Sequence, residues 1–219
     1  MISADFRGVL FDLDGTLIDT APDMIAALNQ LLGEEGGAPL PYALARTQVS
    51  HGSTGLVGLA FPGIGTERFE QLRARFLALY NDRVAHETKL FDGALEVLDA
   101  IEASNRSWGI VTNKPTFLTT PLLDSIGLAA RAGCVVCGDT LPQRKPHPAP
   151  LLYAADLIGV PSERCLYIGD AERDVVAAHA AHMPVVLASY GYLGPDDAPQ
   201  SWGADAEIDS LRGLLQWLT

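Results

Sequence analysis

Short apolar runs rich in Val, Ile and Leu recur along the chain, at Gly8–Phe11 and at residues 108–111, 134–137, 165–168 and 184–188. None alternates with polar residues, which suits strands buried on both faces of a parallel sheet. Between them lie stretches with helical periodicity, at Ala94–Ala103 and at residues 149–158 and 172–182. Strand and helix in alternation predict βαβ units and a doubly wound α/β core.

Residues 22–86 break that alternation, because no strand pattern occurs there. Residues 22–32 open on a proline suited to a first helical turn and stop at Gly33. Residues 66–86 predict one long amphipathic helix with Phe69, Leu72, Phe76, Leu79 and Tyr80 on one face. A helical insert directly after the first strand predicts a cap over the sheet, with residues 18–87 as the cap and residues 1–17 and 88–219 as the core. Residues 190–203, rich in Gly, Pro and Asp, predict a surface loop before a short last strand and a closing helix at 211–218.

Composition narrows the classes. The chain has 219 residues, 48% of them hydrophobic and 19% charged, which suits a folded domain rather than a disordered one. A net charge of -12 with no basic run argues against nucleic acid as a partner. No apolar stretch approaches the roughly 20 residues that cross a bilayer, and the amino-terminal residues lack signal-peptide features. No membrane association, a cytoplasmic location and a monomer or weak homodimer are therefore expected. Cys134 and Cys137 spell a CxxC, but within a strand-like run they point to opposite faces, and core packing is the expectation.

In an open parallel sheet, ligands bind beyond the carboxyl ends of the strands. Asp12-Leu13-Asp14-Gly15-Thr16 follows the first apolar run, Thr112-Asn113 the second, and Gly169-Asp170 the fourth, with Asp174 one helical turn on. Lys145 opens a Lys-Pro-His-Pro segment ahead of another helix. Singly, each has a plain explanation: an Asp after a strand often caps a helix, and Thr-Asn often makes a turn. Together they crowd carboxylates on one rim, where two charges about 4 Å apart repel by about 4 kcal/mol at an effective dielectric near 20. A cation among them relieves this, and oxygen ligands with few histidines favour Mg²⁺.

These motifs, in this order, resemble the haloacid dehalogenase superfamily over the whole chain. The resemblance implies a Rossmann-like α/β core with an inserted helical cap of the C1 type, and a Mg²⁺-dependent phosphatase acting on a small-molecule phosphate ester. It implies Asp12 as nucleophile, Asp14 as general acid and base, Thr112 as a phosphoryl hydrogen-bond donor and Lys145 as a neutralising cation. The metal would be held by Asp12, the Asp14 carbonyl and Asp170, with Asp174 and Asn113 in support. The words Asp14-Gly-Thr-Leu-Ile-Asp19-Thr20, Val111-Thr-Asn-Lys114-Pro and Lys145-Pro-His-Pro148 look most like the bacterial phosphoglycolate phosphatase group. The stretch from Tyr190 to Asp205 is similar to that of a branch acting on N-acetylmuramic acid 6-phosphate.

In the predicted cap, the polar, glycine-flexible run Ser50-His51-Gly52-Ser53-Thr54 is the candidate specificity loop, with His51, Gly52 and Ser53 at its centre. A phosphomutase uses the same motifs and stays open as an alternative. An inactive phospho-ligand binding module would show a broken site, and every catalytic position here is filled. A dehalogenase needs no acid at Asp14.

Overall fold

The computed structural model describes residues 2 and 5–218. Six parallel strands form the sheet: β1 (Gly8–Phe11), β4 (Ser107–Val111), β5 (Val135–Val136), β6 (Cys165–Gly169), β7 (Val185–Ala188) and β8 (Ala206–Ile208). Their order is β5-β4-β1-β6-β7-β8. The chain winds outward from β1 to one edge through β4 and β5, then returns beside β1 through β6. The switch point thus falls at the ends of β1, β4 and β6, where a crevice opens.

Period-two alternation sorts the β1 side chains onto two faces. Val9 and Phe11 join α5 (Ala94–Ala103) and α6 (Thr116–Ser125) in one core, while Leu10 packs with α7 (Ala149–Leu157) and α8 (Glu172–Ala180) in another. Every β1 residue is buried. That double burial is why the run is apolar without interruption.

A third core belongs to the segment between β2 (Ile18–Asp19) and β3 (Lys89–Leu90), which pair antiparallel as a two-stranded ribbon. It holds α1 (Ala21–Glu34), α2 (Tyr42–Arg46), α3 (Gly52–Ala60) and α4 (Thr66–Asn81). The buried Asp23 carboxylate ties the start of this segment to its end: it accepts hydrogen bonds from the Glu87 and Thr88 amides and from the Thr88 hydroxyl at 2.7 Å.

Four sequence expectations shift. The first helix runs through Gly33 to Glu34 and is closed off by Gly36, whose φ of 76° supplies the left-handed residue of a Schellman motif. In it Gly37 N–H bonds to Leu32 O and Gly36 N–H to Gly33 O. The long helix α4 stops at Asn81 rather than near His86, before Ala85 takes a positive φ. The closing helix is 3₁₀ over Leu211–Trp217, matching the three-residue spacing of Leu211, Leu214 and Trp217. Finally, the segment read as a surface loop begins inside the protein, because Tyr192 is fully buried.

Cys134, Cys137 and Cys165 are free and buried. Burial pushes their thiols up, Cys134 to about 11 and Cys165 to about 12, which favours the uncharged thiol of a packed core residue.

Candidate active site

Each strand end delivers its side chain to the crevice. Asp12 extends β1 by donating its amide to Ile168 O at 2.8 Å, and Thr112 extends β4 by donating to Val136 O at 2.9 Å. Both stay buried at the mouth of a cavity of about 550 Å³. Gly15 then turns the chain with a φ of 85°, and a Cβ there would sit 2.2 Å from Asp170 Oδ2. A side chain at that position would displace the Asp170 carboxylate.

Lys145 is the hub. Its ammonium lies 2.9 Å from Asp12 Oδ1 and 2.8 Å from Asp174 Oδ1, and donates to Val111 O and to the Tyr167 hydroxyl, each at 2.8 Å. Asn113 fixes the Lys145 backbone with two bonds, donating to its carbonyl at 2.9 Å and accepting from its amide at 3.1 Å. Asp174 also accepts from Tyr167 OH and the Ala171 amide.

Asp170 Oδ2 accepts from Ser50 Oγ at 2.7 Å and from the Tyr192 amide at 3.0 Å. Its other oxygen, Oδ1, is buried and has no hydrogen-bond partner among the described residues. Asp12, Asp170 and Asp174 bring carboxylate oxygens within 4.8 Å of one another, the one such metal-compatible group among the described residues. Burial pushes Asp12 up to about 7, with Asp174 and Asp170 adding to the rise and Lys145 and Arg173 opposing it. Burial and the Asp174 charge push Asp170 up to about 6. Burial works to raise Asp174 too, but Lys145 and Arg173 hold it below the usual carboxylate range. An orphaned buried carboxylate oxygen beside a second carboxylate with a raised pKa fits a divalent cation.

Asp14 lines the same cavity, but its Oδ1 accepts from Thr20 Oγ1 at 2.6 Å and from Lys114 Nζ at 2.9 Å. Lys114 is buried and donates also to the Tyr80 hydroxyl at 2.8 Å. Burial disfavours its charge, yet Asp14 and Tyr80 outweigh that and hold the ammonium above its ordinary range.

Met24 of α1, residues 49–54 at the start of α3, and Arg73, Phe76 and Tyr80 of α4 supply the facing wall. His51, Gly52 and Ser53 line the cavity, but Gly52 begins α3, so this is a turn leading into a helix rather than an open loop. None of the three bonds to the Asp12 cluster; Ser50, one residue earlier, does. Arg46 reaches the Tyr190 and Gly191 carbonyls across the same gap.

Sequence reasoning thus assembled Asp12, Thr112, Asn113, Lys145, Asp170 and Asp174, and missed Lys114, Tyr80, Tyr167, Tyr192 and Arg173. Lys114 stands two residues past Thr112 and Arg173 directly before Asp174, positions whose direction only the fold reveals. Tyr167 lies in an apolar strand, Tyr80 on the apolar face of a helix and Tyr192 in a stretch with loop composition, settings that do not single out a hydroxyl for the site.

Two observations define the class: a cavity at the switch point that Asp12, Asp14, Thr112, Lys114 and Arg173 line, and a pattern characteristic of haloacid dehalogenase-like hydrolases that matches residues 9–188. The chain belongs to that family. Among its relatives, a phosphoglycolate phosphatase of Xanthomonas campestris pv. campestris is 46% identical over 210 residues, covering 96% of this chain and 95% of the relative. An N-acetylmuramic acid 6-phosphate phosphatase of Pseudomonas aeruginosa is 38% identical over 213 residues, covering 97% and 94%. A crystal structure of a predicted phosphoglycolate phosphatase from Haemophilus somnus superposes with a TM-score of 0.88 at 27% identity, covering 98% of this chain and 99% of that one. Among the described residues no helix is long and apolar enough to cross a membrane.

Proposed function

We propose that the protein is a Mg²⁺-dependent phosphatase that hydrolyses a small-molecule phosphate monoester through a phosphorylated Asp12. The observation that carries this is the buried Asp12–Lys145–Asp174 ion-pair cluster beside an Asp170 oxygen with no partner. Asp12, Asp170 and the Asp14 carbonyl would hold the cation, which supplies charge neutralisation for the phosphate oxygens.

The chain's own groups account for the rest. An Asp12 oxygen attacks phosphorus in line, the ester P–O bond breaks, and the leaving oxygen takes a proton from Asp14. Water then attacks the phosphorylated Asp12, gives its proton to Asp14, and the P–O bond to Asp12 breaks. Thr20 and Lys114 occupy Asp14 Oδ1 and leave Oδ2 without a hydrogen bond among the described residues, which supports Asp14 as the group facing the leaving oxygen. Thr112 would donate to the phosphoryl group. Lys145 holds Asp12 in place, and Asp174 and Asn113 hold Lys145.

Residues 18–87 act in this reading as the cap, with His51, Gly52 and Ser53 selecting the substrate. A cavity of about 550 Å³ lies in the ordinary range for sites that enclose ligands of sugar size. This favours a sugar phosphate such as N-acetylmuramic acid 6-phosphate over the much smaller 2-phosphoglycolate. A monomer or weak homodimer in the cytoplasm suffices, since one chain supplies the whole site.

The test is a panel of phosphate esters including both compounds, assayed with Mg²⁺ and after chelation, together with acid-quench trapping of phosphorylated Asp12. Phosphate release with no phosphorylated protein would overturn the mechanism. Faster turnover of 2-phosphoglycolate than of every sugar phosphate would overturn the substrate choice.

A further inference from the structure

Lys145 has three N–H donors, and four acceptors of the protein already surround them: Val111 O, Tyr167 OH, Asp12 Oδ1 and Asp174 Oδ1. The ammonium therefore positions the nucleophile but keeps no proton free for an incoming phosphoryl oxygen. Lys114 places two of its three donors on Asp14 and Tyr80, which leaves it one at most. A phosphoryl group presents three non-bridging oxygens to be met.

Arg173 has donors to give. It sits in the first turn of α8, beside Asp174, and lines the cavity. Its side chain is only 20% exposed, yet no N–H of its guanidinium finds an acceptor within hydrogen-bond distance among the described residues, and Nε is buried outright. The nearest charge is Asp12 Oδ2, 3.8 Å away, on the oxygen opposite the one that Lys145 holds. That distance suits attraction but not a hydrogen bond. Leaving the buried Nε–H without an acceptor is unfavourable by about 1–3 kcal/mol, and the terminal nitrogens beside it carry N–H donors that no described protein group uses, so an anion in the cavity can take them.

We propose that Arg173 is a further catalytic residue, whose planar fork binds non-bridging oxygens of the phosphoryl group as it transfers to Asp12. The inference rests on the phosphatase reading above. A guanidinium matches two oxygens of a phosphoryl group at once, which an ammonium cannot do. Placed beside Asp12 Oδ2, it stabilises the charge on the equatorial oxygens in both chemical steps. Because every substrate presents the same phosphoryl group, its contribution is the same for all esters.

The experiment compares wild type with R173M, R173Q and R173K in the presence of Mg²⁺. Tungstate, a tetrahedral oxyanion, is the binding probe, followed by titration calorimetry, and kcat/KM is measured on an aryl phosphate and on a sugar 6-phosphate. In R173M, kcat/KM is expected to fall about 10²-fold on both esters, and tungstate affinity by about 10-fold or more. R173K recovers part of each, since it restores charge without the fork. Wild-type tungstate affinity in R173M, with only a lowered Tm, would reduce Arg173 to a counter-charge for Asp12 and overturn the proposal. Should R173M not fold, the same outcome in R173Q overturns it equally. If wild type binds tungstate and R173M does not, while neither hydrolyses any ester, the phosphatase reading fails and the oxyanion role of Arg173 stands.

Discussion

On the sheet side of the cavity, Lys145 and Asp174 are fully buried and each has several partners. On the helical side, His51 is exposed and, among the described residues, Arg73 bonds only to Glu70, one turn away. The first arrangement is rigid by construction, because each group is held by strand ends and by other buried groups. The second adds to its buried Phe76 and Tyr80 some side chains, such as His51 and Arg73, that no hydrogen bond ties to the sheet side. In the proposed reading, chemistry that must be performed identically on every turnover would sit on the first wall, and selection among substrates on the second. Ser50, Arg46 and Tyr80 are among the groups that bridge the two, through hydrogen bonds to Asp170, to the Tyr190 and Gly191 carbonyls, and from Lys114; Thr20 does so through Asp14.

The sharpest break in the comparison is Asp12→Asn, which keeps the volume but removes the attacking carboxylate. Turnover is expected to fall by about 10⁴-fold or more with the circular-dichroism spectrum unchanged. Near-normal steady-state rates would show that the rigid wall is not where phosphate is transferred. Chelation should abolish activity and Mg²⁺ restore it, with Asp170→Ala raising the Mg²⁺ concentration needed for half-activity more than any change on the helical side. Full activity of the chelated enzyme would remove the cation from the reading.

Lys145→Ala should lower kcat/KM on all esters alike, by about 10²-fold or more, and lower Tm as well. It leaves Asp174 buried and stripped of its ion pair. His51→Ala or Ser53→Ala should instead shift relative kcat/KM among esters by about 1–3 kcal/mol and spare a small aryl phosphate. Equal losses on a large and a small ester would mean that this turn only supports α3.

The smallest effect is electrostatic. Asp12 and Asp170 have folded values of about 7 and about 6, above the value near 4 of an unfolded carboxyl. The folded, metal-free protein therefore holds more protons than the unfolded chain between those limits, and loses stability as pH rises through that window. A cation replaces those protons, so the rise in Tm on adding Mg²⁺ should be larger at about pH 8 than at about pH 5.5. A shift independent of pH would place the ion away from these two carboxylates.

The catalytic rim was legible in the sequence because its residues lie at the ends of apolar runs, and a parallel sheet brings such ends together whatever the loops do. Asp12, Thr112 and Asp170 each follow a strand directly. Lys145 follows none, and was found through its motif rather than its surroundings. Tyr192 shows where the reading stopped: glycine, proline and aspartate around it signal a loop, yet its phenol and amide are buried against Asp19 and Asp170. Composition reports how a chain bends, and does not report which bend turns inward. The helix ends failed for a related reason, since Gly33 and Gly36 look alike until one of them adopts a left-handed turn.

The Asp23 knot and the β2–β3 ribbon have an architectural consequence. They bring residues 19 and 89 side by side, so that nearly seventy residues leave the sheet and return at one doorway. Anything inserted, shortened or exchanged between those two points changes the roof while the doorway keeps its width. A lineage can thus trade one set of helices for another, and with it one diet of phosphate esters for another, without re-evolving the machinery beneath.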